Sequence, residues 1–523
     1  MADNSHPRGM KLPYELPAGY HPLFTSNDLP LGHQLAEIAE SVRAAEVLKA
    51  SLELQISQAR LDLVRLEREV FHATRHIELC KLPLAPIRRL PVEILSGIFL
   101  SYADLVRKPP GPSMHGICNI KTGVWMLGHV CGHWRAVALS TAALWSSFSF
   151  WCESRRRSSA AIADEFLLRS SSHLLSIDFE CHNGRSCVAA SGDSCRDVFT
   201  TLLAHCQRWK RVRLRIPPAF YPELQIIKDN ILNLSSLKLR VFSLGFEEAP
   251  VPLQDIDTFQ SCPQLVDLEL YFYAMGSFID FPWHQLTSFS GAVFYPNTNV
   301  LARAPNIVDC TLGYGDEHPP GQPLVHRMQR LTLWERRPPS YLQTLDLPAL
   351  THLCVDVQIA YGFVDLIHRS RSPLNSIRFH GFYEMSEATT TGVLTLLAAA
   401  PTLTHLVLIG HAARSGDPEE KISNLFGTLA HPGLTALSKL EHLAMSGVVF
   451  DQHFVDMVES KCAHANDPPG VPIPISPLKS LRISDFGRTN ESHLLQLRRI
   501  EIQFGLKLTI EPPKLGRRPI HVY

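Results

Sequence analysis

Charge is scarce in this 523-residue chain, and neither sign prevails. Fifty lysines and arginines offset fifty aspartates and glutamates, and charged residues make up only 19% of the whole. No global field therefore favours nucleic acid or an acidic membrane surface. A secretory h-region is missing as well, because Met1 to Leu29 is polar and proline-bearing. The twelve cysteines follow no regular spacing, which argues against a disulfide framework and fits a reducing cytoplasm or nucleus. Signatures of common chemistry are absent too: Walker-type Gly-x4-Gly-Lys, Gly-x-Gly-x-x-Gly, His-Glu-x-x-His and Gly-x-Ser-x-Gly do not occur. Gly313-Tyr314-Gly315 lacks a third glycine and a lysine and reads as a loop. No cofactor is expected and no catalytic residue is assigned.

Three further features are weighed and set aside. Cys181, His182, Cys187, Cys195, His205 and Cys206 cluster in sequence, but structural zinc sites pair ligands two to four residues apart and these cysteine gaps are wider. No metal is expected. The run Arg155-Arg156-Arg157 reads as a solvated edge. Ala388 to Ala413 carries no Asp, Glu, Lys or Arg and approaches the length of a membrane span. Pro401 splits it, however, into a helical-period half and a strand-like half (Leu403, Leu406, Leu408), so a buried helix–turn–strand unit is the better account.

What the chain does have is pattern. Residues 32–80 hold no proline, and apolar residues recur at 3,4 spacing: Leu35, Ile38, Val42, Ala45, Leu52, Ile56, Ala59, Leu63, Leu66, Val70, Ala73 and Ile77. Lys49 is the one charged break. A sustained seven-residue repeat predicts a long helix with a coiled-coil seam, and a single polar core position is how such seams fix register. Self-association through residues 35–80, or pairing with another helix, is one expectation; a helix that folds back on the solenoid or stands alone as a rigid spacer is the other. His33, His72 and His76 have no ligand-spaced partners.

From about residue 165 onward a second motif returns, apolar-x-x-apolar-x-apolar. Copies fall at Leu174/Ile177/Phe179, Trp209/Val212/Leu214, Leu239/Phe242/Leu244, Leu265/Leu268/Leu270, Ile307/Cys310/Leu312 and Met328/Leu331/Leu333. They continue at Leu350/Leu353/Val355, Leu374/Ile377/Phe379, Leu403/Leu406/Leu408, Leu440/Leu443/Met445, Leu478/Leu481/Ile483 and Leu497/Ile500/Ile502, with a degenerate copy at Leu286/Phe289. Proline sits just ahead of several copies (Pro263, Pro305, Pro348, Pro373, Pro401, Pro477) and stops the preceding element. The pattern is similar to leucine-rich repeats, in which a short strand and a return segment stack to bury one core. The asparagine usual after the strand is mostly missing.

Between these regions lie two short helical segments. One is Leu90-Pro91-Val92-Glu93-Ile94-Leu95-Ser96-Gly97-Ile98-Phe99, the other Val130-Cys131-Gly132-His133-Trp134-Arg135, followed by Leu144-Trp145. Val130, Trp134 and Val137 read as one helix stripe, and the unit carries more apolar surface than it can hide within itself. The order Leu-Pro-x-Glu-Ile-Leu…Ile-Phe, then Val-Cys-x-x-Trp-Arg…Leu-Trp, resembles the F-box over about residues 86–148. The stretch 103–124, with Lys108-Pro109-Pro110-Gly111-Pro112, reads as a loop insertion between the halves. The whole layout is similar to the large F-box families of mushroom-forming fungi.

The resemblance implies an α/β chain in four parts: a disordered tail 1–30, a long helix 31–82, an all-helical F-box 83–150, and a leucine-rich-repeat-like solenoid with a parallel sheet, 160–523. It also implies an interaction protein rather than an enzyme, the substrate receptor of an SCF-type cullin–RING ubiquitin ligase. Leu90, Pro91, Ile94, Leu95, Ile98, Phe99, Val130, Cys131, Trp134, Leu144 and Trp145 match positions that dock the Skp-type adaptor, with Val130 and Trp134 expected against Ile94 and Ile98. Residues between the inward positions of the strands would face a concave target-binding surface: Glu269, Tyr271, Thr332, Trp334, Asp356, Arg378, His380, Arg482 and Ser484. Neither nucleic acid nor membrane is an expected partner. Two alternatives stand beside it: a scaffold whose F-box holds the adaptor, or packs internally, without delivering a target, and an enzyme hidden in the repeat domain, for which the sequence shows no convergent His, Asp or Cys cluster.

Overall fold

A computed structural model of the chain describes Leu23 and residues 29–84, 86–107, 123–151, 159–181, 195–241, 257–272, 279–292, 300–313, 323–335, 337–382, 385–410, 425–429, 437–448, 450–463, 476–484 and 491–511. Most of the tail 1–30, Arg155 to Arg157, His182 and Cys187 lie outside these residues. The chain divides into two compact units, Met1–Pro91 and Val92–Tyr523.

The first unit is dominated by helix α1, Gly32–Lys81. It starts where the Leu31 N–H donates to Gln34 Oε1 at 2.9 Å, and it stops two residues before Pro83, which cannot continue a helix. At 50 residues it is about 75 Å long. None of its residues is buried.

The second unit opens with α2, Val92–Arg107. Leu95, Phe99 and Ala103 fall on one stripe at four-residue spacing and are buried. α2 therefore takes five residues (103–107) that the sequence assigns to an insertion; of the rest, 108–122 lie outside the described residues, and Gly123–Met126 form a 3₁₀ turn. Next come α3 (Leu127–Val130), α4 (Gly132–Ser140) and α5 (Ala142–Trp145). Val130 and Trp134 are not on one helix, contrary to the expected stripe. Cys131 between them is extended (φ −161°, ψ 171°), and its Sγ accepts the Trp134 N–H at 3.5 Å. A side chain that caps the next helix ends the previous one.

The strands are β1 (Ser147–Trp151), β2 (Leu175–Glu180), β3 (Trp209–Ile216), β4 (Ser236–Val241), β5 (Asp267–Phe272), β6 (Ser288–Ala292), β7 (Asp309–Leu312) and β8 (Leu324–Val325). They continue as β9 (Arg330–Leu333), β10 (Leu345–Asp346), β11 (His352–Asp356), β12 (Ser376–His380), β13 (His405–Ile409), β14 (His442–Ser446), β15 (Ser480–Ser484) and β16 (Lys507–Glu511). Fourteen form one sheet in chain order, all parallel; β8 and β10 pair with each other as a separate parallel ribbon. The chain is thus mixed α/β with a long parallel sheet that does not close into a barrel.

Register explains the repeated motif. Ile177, Val212, Leu237, Leu268, Phe289 and Cys310 pair across successive strands as one buried layer, which continues through Leu331, Leu353, Ile377, Leu406, Leu443 and Leu481. The prolines have a specific place. In Cys262-Pro263-Gln264-Leu265 the Leu265 N–H donates to the Cys262 carbonyl at 3.2 Å, and the same turn recurs at Ala304 to Ile307, Leu347 to Leu350 and Ala400 to Leu403. Proline's fixed φ suits the second position of a β-turn, so each copy starts with the chain already turned into the sheet. Past the turn, one carbonyl takes two N–H groups of the next strand. Ser235 O accepts from Val266 and Asp267, Thr287 O from Val308 and Asp309, and Thr351 O from Asn375 and Ser376. A backbone ladder therefore stands at the start of the strands, needing no asparagine.

Three copies of the motif need correction. The one expected at Leu239/Phe242/Leu244 lies five residues earlier, at Leu234/Leu237/Leu239, because Leu237 and Leu239 are the residues that pair with Val212 and Leu214. Leu174 is exposed and Leu175 begins the strand in its place. Leu497/Ile500/Ile502 is not a strand: it lies in the helix Glu491–Phe504, with Ile502 exposed. The i,i+3 spacing of Leu497 and Ile500 suits either element, and the glycine- and proline-free Gln, Arg and Glu surroundings favour helix until Gly505, at φ +70°, ends it.

The helical segment and the sheet share one core. Trp145 of α5 lies 5.0 Å from Phe166 of α6 (Ser159–Arg169), which in turn lies 5.2 Å from Phe148 of β1. The stretch weighed as a membrane span is the helix Glu387–Ala398, a turn, and β13. No helix among the described residues is long and apolar enough to cross a membrane.

Candidate interaction surfaces

The first candidate surface is built by α2 to α5, and burial divides the predicted adaptor residues into two sets. Leu95, Phe99, Leu144 and Trp145 are core residues. They have no surface to offer a partner, so assigning them to adaptor contact is corrected: they build the unit. Phe99 lies 5.0 Å from the half-buried Trp134, so Trp134 packs on the Phe99 side of α2. Trp145 Nε1–H donates to the Ala138 carbonyl at 2.7 Å, tying α5 back onto α4. Ser96 Oγ and Thr141 Oγ1 share a 3.1 Å hydrogen bond that ties α2 to the turn before α5.

The other set faces out. Ile94 is 54% exposed and Ile98 43%, and Val130 and Cys131 are exposed as well. Ile94 and Ile98 are four residues apart, so they stand one above the other on one side of α2, and the exposed Leu105 lies on the same side about two turns further on. α2 is thus apolar on two faces, only one of which finds core. In the first unit, Leu90 is half-buried and Pro91 exposed.

The second candidate surface is the face of the sheet between the buried layers. Three of its predicted residues come together. Trp334, following β9, is 49% exposed and stacks on the His380 ring at a centroid distance of 4.5 Å. His380 Nδ1 lies 3.4 Å from Asp356 Oδ2, and its Nε2 faces the Leu333 carbonyl at 3.2 Å. The hydrogen bond to the Leu333 carbonyl and the neighbouring Asp356 carboxylate hold the ring plane on which Trp334 lies. Asp356 itself is only 5% exposed, so its assignment to the target face is corrected. It accepts the Gln358 N–H at 2.9 Å as the cap of the following 3₁₀ turn. Gly381, at φ +89°, closes over it: a Cβ there would meet Asp356 Oδ2 at 2.5 Å.

The rest of that face is spread over β5, β9, β12 and β15, with Arg378 two residues before His380 on the same face of β12. Arg378 and Arg482 are exposed, and Thr332 and Ser484 half-buried, on strands β12, β15, β9 and β15. Glu269 is held by Lys238 and lies 4.0 Å from Arg240. Tyr271 pairs in register with Arg240, and its side chain lies outside the described residues.

Sequence reasoning missed a charged ladder at the start of the sheet. Arg213 donates to Asp178 at 3.1 Å and Arg215 to Glu180 at 2.7 Å, across β3 and β2. The alternating Lys-Arg-Val-Arg-Leu-Arg of 210–215 is its signal. Burial raises the Asp178 carboxyl above its usual range, against the pull of Arg213.

Glu335, next to Trp334, was missed as well. Burial pushes its carboxyl up to about 7. With the ordinary value at 4.5, the folded chain binds more protons than the unfolded chain between these limits. Stability carried by the protonated form is therefore complete below pH 4.5 and is lost as pH rises through 7. Glu335→Gln is expected to raise the thermal midpoint at pH 8, by the equivalent of about 1 kcal/mol after discounting for partial exposure, and to leave it unchanged at pH 4. Paired melts at the two pH values check this.

Among the described residues no group of three or more His, Cys, Asp or Glu is placed to hold a metal ion. In the depression lined by Tyr361, Glu387, Thr391 and Thr395, the Thr391 and Thr395 hydroxyls donate to the Glu387 and Thr391 carbonyls at 3.0 and 2.7 Å. What the two surfaces offer is apolar and aromatic contact. No family model matches the chain, and no curated protein matches it.

Proposed function

We propose that this chain is a substrate receptor of an SCF-type cullin–RING ubiquitin ligase, with an F-box in α2 to α5 and leucine-rich-repeat-like stacking in the sheet. The observation that carries the reading is the second apolar face of α2. Leu95, Phe99 and Ala103 already give the helix its place in the core, and Ile94, Ile98 and Leu105 remain in water. Contiguous exposed apolar surface on a helix marks a partner site. On this reading Ile94 and Ile98, with Val130 and Cys131, touch the Skp-type adaptor.

Target capture falls to the sheet face around Trp334, His380 and Arg378. A rigid aromatic side chain with an arginine nearby is the composition of an interface hot spot. The contribution to ubiquitin transfer is proximity: the receptor holds the target beside activated ubiquitin carried by the ligase. The ligase supplies the covalent chemistry, in cytoplasm or nucleus.

Proximity labelling in cells tests the receptor role, comparing the wild-type chain with one whose adaptor face is disabled. Labelled targets are expected to accumulate and to lose ubiquitin when docking is removed. Targets that are labelled equally, with unchanged abundance, would make the chain a scaffold.

A further inference from the structure

α1 buries none of its 50 residues, yet carries the most regular apolar seam in the chain. Helices in water draw their stability mainly from packing an apolar face. The seam consists of two sets of positions. One runs by sevens from Leu35 to Ile77 and is large and apolar throughout except at Lys49. The other runs by sevens from Ile38 to Cys80 and alternates large with small, placing alanine at 45, 59 and 73.

Those two sets distinguish the ways in which two such helices can pair. In a parallel pair each set meets itself, which stacks alanine on alanine in three layers and sets Lys49 against the partner's Lys49. In an antiparallel pair each set meets the other. Ala45 then faces the partner's Val70, Ala59 the partner's Ile56, and Ala73 the partner's Val42. Every alanine fills against a larger side chain, and Lys49 lies against the partner's Leu66 with its ammonium free to reach water. Full overlap also brings Glu53 beside the partner's Arg60, twice by symmetry and on one flank of the seam, where such pairs set orientation. Glu46 comes near the partner's Glu67, an exposed like-charge contact that solvent and salt weaken.

We infer that α1 pairs with α1 of a second copy of this chain, as an antiparallel two-stranded coiled coil centred between Ser57 and Gln58. The seam from residue 35 to 80 is about 69 Å long. With a contact strip about 10 Å wide it buries roughly 700 Å² per helix, a total of about 1,400 Å², within the range of stable interfaces. The pairing rests on α1 alone and stands or falls independently of the adaptor.

Light scattering on the full chain gives the test. The wild-type protein is expected at twice 58.5 kDa. Leu52→Glu, which places a carboxylate in two core layers while keeping a good helix former, is expected at the monomer mass with an unchanged melting midpoint. Ser57→Glu, on the outer side of the following turn, is expected to stay dimeric. Orientation is read from Cys80, which faces the partner's Leu35 in the antiparallel pair. Mild oxidation is expected to crosslink Leu35→Cys into a covalent dimer, and adding Cys80→Ser to remove the crosslink. A monomeric wild type, a mass above two chains, or a dimer that survives Leu52→Glu overturns the pairing. A wild-type crosslink through Cys80 overturns the antiparallel arrangement.

Discussion

Replacing Ile94 and Ile98 together by aspartate is expected to abolish binding to a Skp-type adaptor while leaving the melting midpoint where it was. Both side chains are about half exposed, so water already surrounds much of what the substitution changes. Surface changes of this kind usually alter stability by no more than about 0.5 kcal/mol. In a docked complex the balance differs. Burying the exposed half of each isoleucine would contribute about 0.8–1.5 kcal/mol, and each aspartate in its place would have to surrender its hydration, which costs several kcal/mol more. A combined loss above about 4 kcal/mol is a fall of roughly a thousandfold in affinity. Calorimetric titration of both proteins into the adaptor, beside their thermal melts, reads both halves of the expectation. Leu95→Asp at the neighbouring core position should instead destroy the fold of the unit.

Trp145→Ala is expected to destabilise the second unit by about 3–5 kcal/mol, the range for losing a buried aromatic ring. Trp145 is almost fully buried and touches three groups that hold the helices to the sheet. Its ring lies 5.2 Å from Trp125 and 5.0 Å from Phe166, and the Arg169 guanidinium sits 4.4 Å from its centroid. The substitution also leaves the Ala138 carbonyl without the indole N–H that it accepts at 2.7 Å. Trp145→Phe keeps most of the ring contact and loses the hydrogen bond, for a smaller cost near 1 kcal/mol. Urea denaturation measures both. Adaptor binding by Trp145→Ala should fall only in proportion to the unfolded fraction and recover in a stabilising osmolyte. Binding by the Ile94 and Ile98 aspartate variant should not recover.

The sheet was legible because its motif states a period. Leu265/Leu268/Leu270 and its counterparts put two apolar residues on one strand face and a third in the turn before it, and proline marks where that turn begins. The long helix was legible for the same reason. The faces of α2 were not. Isoleucine and leucine or phenylalanine alternate at 94, 95, 98 and 99, so both stripes are equally apolar, and which goes inside is settled by tertiary packing, with Phe99 against Trp134. The break at Cys131 carries no proline, and a thiol that caps a helix leaves no strong mark in sequence. Asp356 occupied a position that normally faces solvent. What buries it is Gly381 on the next strand's exit, in a left-handed conformation that lets the backbone close over the carboxylate.

The most direct measurement of the central claim is a calorimetric titration of the purified wild-type chain with a purified Skp-type adaptor. Saturable binding with one adaptor per chain is expected, with a negative heat-capacity change from burial of the Ile94 and Ile98 face. Absence of heat and of a complex by co-elution, with both proteins folded and at concentrations well above the micromolar range, would contradict it.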